Sequence, residues 1–252
     1  MIEIVNLSNE NKYKAEEFLM KEPYKNAYMI YDLNNDNSEI KIVYENDIIK
    51  GILVIYNGNN KIIWFYGNRD SFKAVINNIN YDKFIMIIDE NNLDIIKSKY
   101  KIKYYNEYIM RLKIKDFIFN NDNNSRKLNN DDIIKYKEFI NTANIKIDQE
   151  FYIKNFDVFG YFYENKIVSS GIIAAKSFNA YVFGNIYTLI NYRNRGYAKS
   201  LISSMVKYCS NKTENIIIYV RSDNNAVNLY KNLGFKITGN RIFIDYNTNV
   251  IP

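Results

Sequence analysis

The sequence predicts a mixed α/β protein (α+β layers) made of two tandem units, each a central mixed sheet flanked by helices. Three observations carry this: an internal repeat, strand-like apolar runs alternating with runs of helical period, and a polar break between the copies. The length of 252 residues suits two domains of about 120 residues each. Hydrophobic content of 47% against 25% charged residues is enough to build a core in both.

The repeat comes first. Tyr44-Glu45-Asn46-Asp47-Ile48 reads like Tyr163-Glu164-Asn165-Lys166-Ile167, a turn leading into an apolar strand. An aromatic strand follows in each copy, ending in Gly67-Asn68 and Gly184-Asn185. Farther on, Glu90-Asn91-Asn92 matches Asp223-Asn224-Asn225, each after a strand-like run and before a short helix. The polar cluster Asn120 to Ser125 cannot form a core, so the domains are expected at 1–119 and 126–252. The copies stand 117 residues apart at Gly67 and Gly184 but 133 apart at Asn91 and Asn224, so the second holds 16 more residues in that interval.

The interval contains Tyr192-Arg193-Asn194-Arg195-Gly196-Tyr197-Ala198. Tyr181 to Ile190 reads as a strand, and Gly196 opens a helix with Ala198, Leu201, Ile202, Met205 and Cys209 on its apolar face. A glycine-bearing strand-to-helix junction exposes unpaired amides at the positive end of the helix dipole, which suits phosphate oxygens. Arg193, Arg195 and Lys199 add charge, and Gly196 and Ala198 leave the backbone approachable. The nucleotide P-loop pattern fails for want of its glycines, and no G-x-G-x-x-G occurs. Next, Ile216 to Val220 reads as a strand buried on both faces in a parallel pairing. A helix with Ala226, Leu229 and Leu233 on one face follows, Gly234 stops it, and Phe235 leads into the next strand.

Composition excludes several kinds of chemistry. The chain has no histidine, so the usual general base and the usual metal ligand are missing, and the single Cys209 on an apolar helix face reads as a buried thiol. No metal site is expected. The net charge of +6 is interleaved with acidic residues, which argues against nucleic-acid or membrane partners and favours small anionic ligands. Met1 to Glu10 lacks the features of a signal peptide, so the expectation is a cytoplasmic protein.

Arg193-x-x-Gly196-x-Ala198 opening a helix, a buried strand, and then Ala226-x-x-Leu229-Tyr230-x-x-x-Gly234-Phe235 resemble the GNAT superfamily of N-acetyltransferases. The resemblance covers about residues 126 to 246, with a degenerate copy in the first half. It implies acetyl-CoA as co-substrate and direct transfer of the acetyl group to a small-molecule or peptide amine, without a covalent acyl-enzyme. It also implies that two central strands splay apart around the pantetheine arm. By motif position, Ile186, Tyr187 and Thr188 line that arm and the thioester. Arg193, Asn194, Arg195, Gly196, Tyr197, Ala198 and Lys199 hold the pyrophosphate, Asn224 is a further cofactor contact, and Tyr230 is the acid that protonates the departing thiolate. Ile190 replaces a proline common before the motif, and Asn224 stands one residue late, where the family position holds Asp223. The base is unassigned: Tyr219 occupies a strand position where relatives carry Glu, and Glu150 and Asp157 are named only for lying in the acceptor region. In the first copy Lys97 falls near the place of Tyr230 and the phosphate loop is missing, so that copy is expected to be structural or to shape the acceptor cleft. A longer acyl donor and a non-catalytic acyl-CoA sensor are the alternative functions.

Overall fold

A computed structural model describes residues 2–58, 61–117 and 124–247. Asn120 to Asn123 of the expected break lie outside the described residues. The first half runs β1 (Ile2–Asn6), α1 (Lys12–Leu19), α2 (Ala27–Asp32), β2 (Ser38–Glu45), β3 (Ile48–Asn57), β4 (Lys61–Gly67), α3 (Arg69–Ile76), β5 (Lys83–Ile88), α4 (Leu93–Lys99) and β6 (Lys103–Lys113). The second runs β7 (Ser125–Lys127), α5 (Ile133–Thr142), α6 (Gln149–Asn155), β8 (Asp157–Tyr163), β9 (Lys166–Lys176), β10 (Tyr181–Thr188), α7 (Tyr197–Cys209), β11 (Asn215–Arg221), α8 (Ala226–Asn232) and β12 (Lys236–Asn247). No helix among the described residues is long and apolar enough to cross a membrane.

Two compact units result. The first comprises 1–109, 220–224 and 237–252, the second 110–219 and 225–236. Their boundaries therefore depart from the contiguous sequence copies at the last strand of each half. In the first unit the strand order is β1-β2-β3-β4-β5-β12-β6, with β4 and β5 parallel and β12 antiparallel to β5 from Ile242↔Ile88 to Asn247↔Lys83. Strand alternation sends Leu53 and Ile55 to a core under α3 and α4, and Ile52 and Val54 to one under α1 and α2. Ile242 and Ile244 of β12 are buried in the α3/α4 core beside Phe84, Met86 and Ile88. In the second unit the order is β6-β11-β10-β9-β8-β7, with one face covered by α5 through Tyr136, Phe139 and Ile140 and by α6 through the half-buried Tyr152 and Ile153. On α7, Leu201, Ile202, Met205 and Cys209 are fully buried, as its period predicts.

The duplication is visible in the backbone. Both β2–β3 and β8–β9 turn through two residues with positive φ, Asn46 and Asp47 (50° and 63°) and Glu164 and Asn165 (47° and 62°), the primed turn whose twist suits a hairpin. Each hairpin carries a bulge at the same distance from its turn, between Val43 and Tyr44 and between Tyr161 and Phe162. The Tyr-Glu-Asn match in sequence is thus offset by one residue from the structural equivalence.

The second landmark also moves. Gly51 pairs with Gly67, and its counterpart Ser169 pairs with Thr188. The next amides repeat the relation, Asn68 N donating to Lys50 O at 2.9 Å and Leu189 N to Val168 O at 3.0 Å. Gly67-Asn68 therefore corresponds to Thr188-Leu189, and Gly184-Asn185 lies inside β10. A further correction concerns α8, which buries Val227, Tyr230 and, at its end, Leu233, while Leu229 and Ala226 are half-buried. Gly234 (φ 92°) ends it as predicted, with Phe235 N donating to Tyr230 O at 3.0 Å.

Candidate active site

β10 pairs in parallel with β11 only at Tyr181↔Ile216, Val182↔Ile217 and Phe183↔Ile218, although β10 continues to Thr188 and β11 to Arg221. Past Phe183 the two strands part. On its other side β10 breaks register with β9 between Gly184 and Tyr187, around Asn185 at φ 51°. Asn185 and Ile186 have no register partner in either pairing, as residues of a bulge at the mouth of the gap. Ile186 packs beside Gly171, where a Cβ would lie 3.1 Å from its side chain. Tyr187 points to the α5 side, its ring 6.4 Å from that of Phe139, and its carbonyl accepts from Ser169 Oγ at 3.1 Å. Thr188 Oγ1 meets the same hydroxyl at 2.8 Å.

Beyond Thr188, the segment Ile190–Tyr192 makes a 3-10 turn rather than extending the strand to Ile190. Asn194 (φ 61°) and Gly196 (φ 82°) are left-handed, and Gly196 is the N-cap of α7. A Cβ built on Gly196 meets nothing within 4 Å. The glycine is required by its φ, since left-handed backbone disfavours L side chains, and the space beside it is open. No side chain caps α7 and its first turn contains no acidic residue. The first helical bond recorded is Ser200 N to Gly196 O at 3.0 Å, which leaves the amides of Tyr197, Ala198 and Lys199 as the orphan donors of the helix start.

The cations around these amides are not neutralised. Arg193, Arg195 and Lys199 are exposed, and none makes an ion pair with a carboxylate among the described residues. Arg193 Nε donates to Thr188 O at 3.1 Å and its guanidinium lies 5.2 Å from the Tyr187 ring centre. Arg195 lies 5.6 Å from the ring of Tyr192. Behind the loop, Tyr197 stacks on Tyr161 at 4.5 Å, and Tyr163 contacts Tyr197 and Tyr192 at 5.7 and 5.9 Å. Sequence reading missed Tyr161 and Tyr163 as supports of the loop. Their i, i+2 spacing on β8 was the available signal, since it puts both rings on one face.

Tyr230 is 5% exposed, packs against Phe235 at 5.8 Å, and burial pushes its phenol up to about 12. Asn224 lies in the exposed turn after β11, within the first unit. Of the carboxylates named from sequence, Glu150 is exposed at the start of α6, where Asp148 caps the helix. Asp157 is 6% exposed and ion-paired with Lys127 and, at 2.7 Å, with Lys176. Burial raises its pKa, but hydrogen bonds from both lysines outweigh that and hold it below the usual value, which makes it a structural ion and a poor base. No group of three or more acidic or cysteine ligands gathers among the described residues.

A mixed sheet that opens between two parallel strands, with a helix start free of a side-chain cap beside the opening, is the arrangement that the resemblance to N-acetyltransferases implies. The family comparison agrees: residues 125–247 match the acetyltransferase (GNAT) domain. Among solved structures, a Drosophila protein from structural genomics aligns with TM-score 0.78 at 10% identity, covering 98% of this chain and 99% of that one. A GCN5-related N-acetyltransferase-like protein from Streptococcus suis gives 0.64 at 14% identity, covering 94% and 99%. A tandem GNAT protein from the clavulanic acid biosynthesis pathway gives 0.62 at 11% identity, covering 100% of both. These likenesses concern fold, and they establish the tandem GNAT-like architecture. No curated protein sequence matches the chain.

Proposed function

We propose that the protein is an N-acetyltransferase that moves an acetyl group from acetyl-CoA to a primary amine of a small molecule or peptide. The observation that carries this reading is the open, uncapped start of α7 at Gly196, flanked by unpaired cations and adjoining the parted strands β10 and β11. Those residues fit the co-substrate: a diphosphate accepts from the amides of Tyr197, Ala198 and Lys199 while Arg193, Asn194 and Arg195 surround it. Ile186, Tyr187 and Thr188 border the gap that takes the pantetheine arm, and Asn224 is a further contact.

Bound acetyl-CoA supplies an activated acetyl thioester, whose carbonyl the unprotonated amine attacks. Backbone amides of β10 at the bulge around Asn185 and Ile186 supply preorganised donors for the charge that develops on the carbonyl oxygen. Tyr230 donates its proton to the departing sulfur. With the phenol near 12 and a free thiol near 8.5, that transfer is uphill by about 5 kcal/mol toward a solvated thiolate. Tyr230 therefore acts as an acid toward a sulfur that is itself stripped of water, where the thiolate is a stronger base. No carboxylate on the strands around the gap is assigned as base, and the acceptor amine loses its proton to water.

We infer also that the halves 1–119 and 126–252 are two copies of one unit, supported by the shared turn, bulge and strand-end hydrogen bond, and that the first is degenerate. Calorimetric titration with acetyl-CoA and a thiol-release screen over an amine panel test the main reading. Binding together with thiol release supports it, and failure to bind at millimolar acetyl-CoA refutes it. Binding without release from any amine, and no effect of Tyr230→Phe, would instead identify a sensor. A donor series separates acetyl from longer acyl groups.

A further inference from the structure

The first unit holds a solvent-open cleft of about 550 Å³, lined by none of the residues proposed to hold acetyl-CoA. Its walls are the end of β1 at Asn6 and Leu7, the start of α1 at Lys12, and the run from Asp32 at the end of α2 to Ile40 in β2. The backbone around it is fixed. Leu7 N donates to Ile40 O at 3.0 Å, Asn11 Nδ2 to Asn6 O at 3.0 Å, Ser38 N to Asn35 O at 2.9 Å and Asn37 N to Asn35 Oδ1 at 3.1 Å.

Asp32 is the unusual wall residue, because its carboxylate is only 3% exposed and has no countercharge. Asn35 Nδ2 donates to it at 3.0 Å, but no lysine or arginine pairs with it among the described residues. Lys12, the cation on the wall, places its Nζ on Asn34 Oδ1 at 2.6 Å instead. The other charged wall groups, Asp36 and Glu39, are also acidic, and Glu39 is already paired with Lys41 at 3.0 Å. Asp32 is moreover the last residue of its helix, where the dipole is negative. Burial pushes its pKa up to about 6, against the hydrogen bond from Asn35 that lowers it, so it is ionised at neutral pH. Asp32 is thus a buried carboxylate that accepts from one neutral amide, beside Asp36 and Glu39, while the wall cation Lys12 is engaged by Asn34.

We infer that this cleft binds a small organic cation through a primary ammonium group that pairs with Asp32. A divalent metal fits poorly, since no three carboxylates converge among the described residues. The site shares no residue with the acetyl-CoA reading and stands or falls apart from it.

The test is calorimetric titration of the full chain with 1,4-diaminobutane, with 1,4-butanediol as the neutral control. The diamine should bind and the diol should not. Asp32→Asn should weaken binding by at least about 20-fold, since it removes the only buried countercharge, while the free variant melts no lower than the parent and binds acetyl-CoA unchanged. Asp36→Asn, at the exposed rim, should weaken it by about 2-fold. Lowering the pH from about 7.5 to about 5 should cost roughly tenfold in affinity, as Asp32 takes up its proton. Equal binding of diamine and diol, or undiminished diamine binding by a folded Asp32→Asn variant, would overturn the inference. Loss of acetyl-CoA binding alone would leave it standing.

Discussion

The same strand-to-helix junction occurs twice in this chain, and its two versions differ in who satisfies the helix. In the first unit β4 enters α3 through Asn68, whose side chain accepts from Ser71 N at 2.9 Å and caps the helix internally. A Cβ on Gly67 would collide with Gly51 and the Lys50 carbonyl, so this glycine is packed against β3 with no space beside it. Arg69, the nearby cation, is committed to Asp94 and to the Asn91 carbonyl. In the second unit β10 reaches α7 through Leu189–Gly196, with no side-chain cap, open space at the glycine and arginines that no carboxylate among the described residues pairs with. Self-capping closes a site, and an inserted loop that withholds the cap opens one. Several other helices here also lack a side-chain cap, and what sets α7 apart is the open glycine and the arginines gathered beside its free amides.

The comparison can be broken in several ways, and the harshest is to cut the chain into its contiguous halves. Fragment 1–119 loses Ile242 and Ile244 from the core beside Phe84 and Met86. At about 2–5 kcal/mol per buried isoleucine, against a total stability of about 5–15 kcal/mol, it should be unfolded by circular dichroism. Gly196→Glu comes next. It puts a carboxylate at a left-handed position facing the orphan amides, and acetyl-CoA affinity should fall by at least about 100-fold in calorimetry. Tyr230→Phe should leave that affinity intact and lower kcat by about 10- to 100-fold. Because the phenol sits near 12, the parent's rate should show no loss from Tyr230 ionisation up to about pH 10. A parent rate that falls between pH 8 and about 10 in step with a group lost in Tyr230→Phe would remove the tyrosine from its role. The mildest change, Asn68→Ala, should cost about 1 kcal/mol in denaturant unfolding while sparing the ligand, whose stoichiometry should be one per chain.

Much of this was readable from residues because local chemistry decided it. The α7 face followed from the period of Leu201, Ile202, Met205 and Cys209, and the end of α8 from Gly234. The open loop was legible for the same reason, as arginines and a glycine ahead of an apolar helix leave few alternatives. What escaped depended on pairing partners distant in sequence. Gly184-Asn185 looks like Gly67-Asn68 as a string, yet cross-strand register assigns the latter to Thr188-Leu189. The face of α8 was misread because Ala226 and Leu229 fit the helical period as well as Val227 and Tyr230 do, and only packing chooses between them. Asp157 resembled an acceptor-side carboxylate until Lys127 and Lys176, from two other strands, were placed on it. The fate of the last strand of each half carries no local signature, since β12 is as apolar and alternating as a strand that returned to its own half would be.

The position of β12 bears on how the protein is made. Synthesis runs from the amino terminus, so β1 to β5 leave the ribosome long before residues 236–247 exist. Until translation reaches them, the β5 edge stays bare and the nascent first unit cannot close. Such a chain depends on late, long-range pairing, matures slowly, and offers chaperones an exposed strand throughout its elongation.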